Sequence, residues 1–232
     1  MKTLRCLNKI AELSTVKAEL SELGTQWSTS NITELTQLKA ELFDVFDDPN
    51  TFNGQPDFDA TRQEGISNYV SEEIKENHVW AFHYSTAIFF KRALCDGGSN
   101  VSPPLPEAHA SVDQATPRIS GQALVSKALE HLENVDALSS DIAIANTLWP
   151  GFIAAVEAVD MELRHRSLIW FARAKRHGIG NIAKAKALVM EVWRRVDRQI
   201  WVSPGHKAER SELSHVDWRA VMKEKGMYIM LT

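Results

Sequence analysis

From Leu4 onward the chain repeats apolar residues at intervals of three and four: Leu4, Leu7, Ile10, Leu13, Val16, Leu20 and Leu23. That spacing lines one face of an α-helix, and Gly24 is placed to end it. The same period returns further along, and no stretch shows the strict alternation of a half-buried strand. The expected fold is therefore all-α, a multi-helix array of antiparallel helix pairs.

Asn31-Ile32-Thr33-Glu34 reads as a variant capping box with Asn31 as the cap, and Ile32, Leu35, Leu38 and Leu42 follow on one face. Asp47-Asp48-Pro49-Asn50 stops that helix, and the segment to Asp59 has loop composition. A third helix is expected from about Gln63 to Leu94, closed by Gly97-Gly98. Prolines and glycines without apolar period mark residues 96–119 as a flexible linker. The amphipathic helices before the linker need a partner surface, so residues 1–232 are expected to form a single domain with the linker inside it.

Beyond the linker, Ser120 caps a helix to about Leu138. Ser139-Ser140-Asp141 would cap the next, with Trp149-Pro150 in its interior. Loss of a backbone hydrogen bond at the proline predicts a kink near Asn146. Helices from about Met161 to His177 and from Asn181 to about Trp201 flank the turn Gly178-Ile179-Gly180. A short helix around Val216 to Lys225 stops at Gly226.

Lys and Arg number 26 against 30 Asp and Glu, a net charge of −4, and 44% of residues are apolar. That balance excludes disordered, collagen-like and disulfide-scaffold classes. Cys6 and Cys95 build neither a disulfide framework nor a metal knuckle and fit a reducing compartment. Lys9 and Glu12 interrupt what a secretory signal would keep apolar. The most apolar stretch, Ile142 to Val159, contains Asn146, Thr147, Pro150 and Glu157, so no membrane span is expected. Charge is uneven along the chain. Residues 1–80 carry 7 basic and 14 acidic side chains, whereas residues 161–200 carry 10 and 3.

Glu162 and His165 have the Glu-x-x-His spacing of di-iron bundles, but no second copy accompanies them, and they read as a surface contact. His78 and His83, five apart among aromatic neighbours, read as packing. Asp47-Asp48 lacks the third acid of a diphosphate-binding motif, and Lys75 stands where its companion motif needs a glutamate, which excludes a terpene cyclase. The turn Gly178-Ile179-Gly180 follows a helix and not a strand, so it is no phosphate cradle. Interleaved apolar residues make the basic stretch Arg164 to Arg198 a solvated face of packed helices. The acidic aromatic segment Phe43 to Asp48 reads as core packing, and Trp149, Trp170, Trp193 and Trp218 as core anchors.

A longer pattern emerges from Lys127-Ala128-Leu129-Glu130-His131-Leu132 followed by Leu148-Trp149-Pro150-Gly151-Phe152-Ile153-Ala154-Ala155-Val156-Glu157-Ala158. Arg164, Trp170-Phe171, Gly178-Ile179-Gly180-Asn181, Val192-Trp193 with Asp197, and Asp217-Trp218 continue it, and the helix from Trp80 to Leu94 precedes it. This order resembles the C-terminal regulatory domain of fungal-specific zinc-cluster transcription factors of the arginine-metabolism-regulator type, over about residues 70 to 231. The resemblance implies an all-α domain, a nuclear setting and control of RNA polymerase II transcription, and it brings no catalytic residues. Members of that family bind DNA through a six-cysteine zinc cluster, which Cys6 and Cys95 cannot form.

The expectation is a regulatory domain that binds proteins or an effector and has no DNA-binding module of its own. It is not an enzyme and holds no metal or cofactor. Its partners would be proteins, such as a second copy or a full-length family member, with DNA reached only indirectly. The nucleus is the expected compartment, with the cytoplasm second. The alternative is an all-α small-molecule-binding protein or enzyme with a pocket between helices near Pro150. No ligand- or partner-binding residue is assigned from the sequence.

Overall fold

The computed structural model describes residues 2–47, 66–95, 120–139, 148–175, 181–202 and 216–227. Eight α-helices and one π-helical turn account for these residues, with no strand among them: α1 Lys2–Leu23, α2 Thr29–Asp47, α3 Ile66–Phe90, the π turn Lys91–Cys95, α4 Gly121–Ser139, α5 Leu148–Val156, α6 Met161–Ala174, α7 Ile182–Val202 and α8 Trp218–Glu224. The all-α expectation holds. The linker at 96–119, the Gly178-Ile179-Gly180 turn and the kink site near Asn146 lie outside the described residues.

Contacts group the chain into two compact units: Met1–Ala60 with Thr86–Ser120, and Thr61–Ser85 with Gly121–Thr232. In the first unit, α1 and α2 pair antiparallel, with Lys9 bound to Glu34 at 2.9 Å and Arg5 to Glu41 at 3.6 Å. Gly24 takes the left-handed conformation, φ 63°, that ends a helix at little cost only in glycine, and Thr25 N–H returns to the Leu20 carbonyl. The second helix begins earlier than its sequence suggests. Ser28 Oγ accepts from Asn31 N–H, so Ser28 is the cap and Asn31 falls within the first turn.

The apolar faces of α1 and α2 close on Phe90, Ala93 and Leu94, with Ile10, Leu13, Leu35 and Leu42 at the centre. Each such side chain contributes roughly 1.5–3 kcal/mol by leaving water. Lys17 is buried with its Nζ donating to the carbonyls of Ala93 and Leu94, at 3.3 and 3.1 Å. A cation at the carbonyl end of a helix is also favoured by the helix dipole, here at the end of the π turn that continues α3.

In the second unit, α4 packs against α5 and α6, α5 against α6 and α7, and α7 against α8. Its centre holds Leu124, Leu129, Leu132, Leu148, Phe152 and Ile153, all essentially without exposure. The turn between α5 and α6 is pinned by Gln122, whose Nε2 donates to the Glu157 carbonyl and whose Oε1 accepts from Val159 N–H. Gly226 takes φ 58°, and Met227 N–H reaches back to the Met222 carbonyl, closing α8 as expected.

Pro150 falls in the first described turn of α5. Its carbonyl accepts from buried Ser85 Oγ of α3 at 3.1 Å. On the next residue, Gly151, a Cβ would overlap three ring carbons of Trp170, so the ring occupies the space a side chain would need. On that side of α5 the space between helices is filled by the Trp170 ring.

Candidate functional site

Five arginines of the basic stretch of α6 and α7 are engaged by carboxylates of the chain. Arg164 Nη1 donates to both carboxylate oxygens of Asp197, at 2.8 and 2.9 Å, and lies over the Trp193 ring. Arg166 grips Glu133 of α4 through two nitrogens and also donates to Ser126 Oγ. Arg173 meets Asp136 at 3.3 Å. Arg194 and Arg195 share Glu191, and Arg195 forks onto Glu224 of α8. Arg194 and then Arg195 hold the Glu191 carboxyl down at about 2. Five guanidinium groups that could fork onto phosphate are thereby committed to carboxylates.

The seam between α3 and α4 gathers polar and aromatic groups that the sequence separates by about fifty residues. Asn77 Nδ2 donates to the Glu73 carbonyl, so its Oδ1 faces α4, where Asn134 Nδ2 donates to it at 3.2 Å. His131 Nδ1 stands 2.9 Å from the same oxygen, and an acceptor there assigns the proton to Nδ1. The His131 ring lies nearly parallel to Trp80 and Tyr84, at 6.1 and 5.5 Å between centroids. Burial lowers the His131 pKa, against Glu130, which raises it. Lys127 and Glu130 both act on Tyr84 as well, whose phenol is raised by burial.

His78 and His83 pack among aromatics as expected. His78 stacks on Phe82, which stacks in turn on Trp149, and buried His83 meets the Trp80 ring edge-on. Burial lowers the His78 pKa too. Trp170, Trp193 and Trp218 are buried anchors, while Trp149 is half-buried. Phe43, in the acidic aromatic segment, packs edge-on against Phe90 and Phe46. Glu162 and His165 lie exposed on α6, and no group of three metal-ligating side chains forms among the described residues. Burial and then Glu41 raise the Cys6 thiol, which keeps it protonated and a poor nucleophile. His131 is the residue that sequence reading left without a role. Its hydrogen-bond partner Asn77 is too distant in sequence for any local pattern to reveal.

The two histidines give this unit a pH dependence with a definite sign. In the unfolded chain they take up protons below about pH 6.5, whereas burial in the fold opposes the charged form. Stability is therefore complete above about pH 6.5 and is lost as pH falls through the lowered folded values. Thermal unfolding of the whole chain should show a lower Tm at pH 5.5 than at pH 7.5, and His131→Asn should flatten that slope. An unchanged slope in the variant would mean that His131 is not the group titrating.

Open grooves lie elsewhere. One of about 620 Å³ runs between α1 and α2 and is lined by Arg5, Lys9, Glu34 and Glu41, which already pair across it. Another of about 350 Å³ lies beside Arg198, Val216 and Asp217. No described helix is long and apolar enough to cross a membrane.

The family model described as the fungal specific transcription factor domain matches residues 3–232. Among curated proteins, arginine metabolism regulation protein II of Saccharomyces cerevisiae is 27% identical over 113 residues, 48% of this chain. That alignment spans 11% of the relative's length. No solved structure matches the chain significantly.

Proposed function

Since the chain belongs to the fungal-specific transcription factor domain family and so has a role in transcription regulation, we propose that its 232 residues act as one regulatory domain through protein partners or an effector, without reading DNA themselves. The observation that carries this reading is the commitment of Arg164, Arg166, Arg173, Arg194 and Arg195 to carboxylates of the same chain. Affinity for a duplex rests on cations that neutralise phosphates, and a guanidinium already held by a carboxylate must first lose that partner. Cys6 and Cys95 cannot supply the six ligands of a binuclear zinc cluster. Both compact units fall within the family match and belong to the same regulatory domain in this reading.

The partners are proteins, among them a second copy or a full-length relative, and the working compartment is the nucleus. Catalysis is not part of the role. Fusing the 232 residues to an unrelated DNA-binding module upstream of a reporter tests the proposal. The fusion should change reporter output several-fold relative to the module alone. Output identical to that of the module alone would contradict it.

A further inference from the structure

Helices α6 and α7 each bury one face and present another to solvent. On α6 the outer positions are Met161, His165, Ile169 and Ala172, and on α7 they are Ala183, Ala187 and Met190, followed by Arg194 and Arg198; all are exposed. Intervals of three and four make each set one helical face. Of the five large apolar side chains exposed among the described residues, three lie here: Met161 at 81%, Met190 at 45% and Ile169 at 38%. The two helices run antiparallel, since Arg164 near the start of α6 reaches Asp197 near the end of α7. The outer face of α7 from Ala183 to Arg198 is about 22 Å long at the α-helical rise, or about four turns.

Charge on these helices is sorted. Arg164, Arg166, Arg173, Arg194 and Arg195 are neutralised within the chain, whereas Lys175, Lys184, Lys186 and Arg198 have no carboxylate within ion-pair distance among the described residues. Against them stand Asp160 and Glu162, exposed at the start of α6. Together the outer faces of these two neighbouring helices carry three exposed large apolar side chains, two of them adaptable methionines, amid a surplus of positive charge.

We infer that the outer face of α6 and α7 docks an amphipathic helix of another protein, whose apolar stripe is bordered by Asp and Glu. The inference rests on the protein-binding reading above. Duplex DNA fits less well, because Met161, Ile169 and Met190 would meet phosphate and gain nothing. A second copy fits less well too, since a two-fold interface through this face would set one excess of cations against the same excess. An acidic amphipathic helix satisfies both features at once, seating its stripe on the methionines and isoleucine and its carboxylates on the lysines.

Fluorescence anisotropy with the full chain tests this, using a labelled 18-residue peptide with Leu at helical spacing and Glu or Asp elsewhere. A peptide of the same composition with the Leu stripe scrambled, a 20-base-pair duplex and phosphatidylserine vesicles are titrated in parallel. The ordered acidic peptide should bind at least about tenfold tighter than the scrambled one, and Met190→Asp or Ile169→Asp should weaken it by about tenfold without changing the melting curve. Lys186→Glu should weaken it several-fold and reduce its salt dependence. Equal binding of the scrambled peptide, indifference to Met190→Asp, absence of peptide binding, or tighter binding of the duplex or vesicles would each overturn the inference. If the peptide fails while the tethered reporter still responds, this face falls and the regulatory reading stands. If the reporter is silent, that reading falls independently.

Discussion

Gly151→Ala should destabilise the second unit by about 1–3 kcal/mol, the range for overpacking a tight core. The expected sign runs against helix propensity. Alanine is the better helix residue by about 1 kcal/mol, and in an open helix the exchange would stabilise. Here the new methyl group meets three ring carbons of Trp170, which is buried and sits edge-on to Phe171 at 5.0 Å. Moving the ring aside would disturb its edge-on contact with Phe171. The α5 backbone and Trp170 are therefore complementary, and glycine at 151 is what permits their approach. Combining the change with Trp170→Leu tests the mechanism. The ring's removal is costly by itself, but the double variant should be more stable than the sum of the two losses, with a coupling of about 0.5–3 kcal/mol. Urea unfolding followed by circular dichroism measures all three. A neutral Gly151→Ala variant would mean that Trp170 gives way and the fit at α5 is loose.

A loss of about 3–5 kcal/mol is expected for Trp193→Ala. The indole is buried in α7, its Nε1–H donates to the Ala155 carbonyl at 2.9 Å near the end of α5, and the Arg164 guanidinium lies 5.2 Å from its centroid. Truncation opens a cavity and removes the contact that ties α7 to α5. Trp193→Phe separates these effects. It keeps most of the ring but removes the donor, and the Ala155 carbonyl retains its bond from Ala158 N–H, so its cost should be near 1 kcal/mol. If phenylalanine proved as damaging as alanine, the hydrogen bond and not the packing would dominate at this position.

Much of the fold was legible because its signals are local. The apolar period of α1, the stops at Gly24 and Gly226 and the tryptophan anchors each depend on residues within a few turns or on a large apolar side chain. Where neighbours compete, the reading slipped by a turn: Asn31 has cap chemistry, but Ser28 does the capping. The apolar run on both sides of Pro150 predicts a helix through it, and α5 is described from Leu148, so the expected kink near Asn146 lies outside the described residues. The surface chemistry of α6 and α7 was half legible. The density of Arg and Lys can be counted, but which arginines are neutralised depends on pairs such as Arg166 with Glu133, brought together by packing across 33 residues. The same holds for Asn77 and His131, 54 residues apart, and for Lys17, which reaches carbonyls more than 70 residues away. Family-level order along the chain survived where local physics was silent, since the sequence resemblance and the family match agree.

The measurement that bears most directly on the central claim is the affinity of the purified 232-residue chain for duplex DNA, titrated at about 50 and 200 mM salt with a randomised pool and selection for preferred sequence. If the paired arginines are unavailable to phosphate, binding should be weak, with Kd no tighter than about 1 μM, indifferent to sequence and enriching no motif. Selection of one sequence bound with Kd of about 10 nM or tighter would contradict the account and make this domain a DNA reader in its own right.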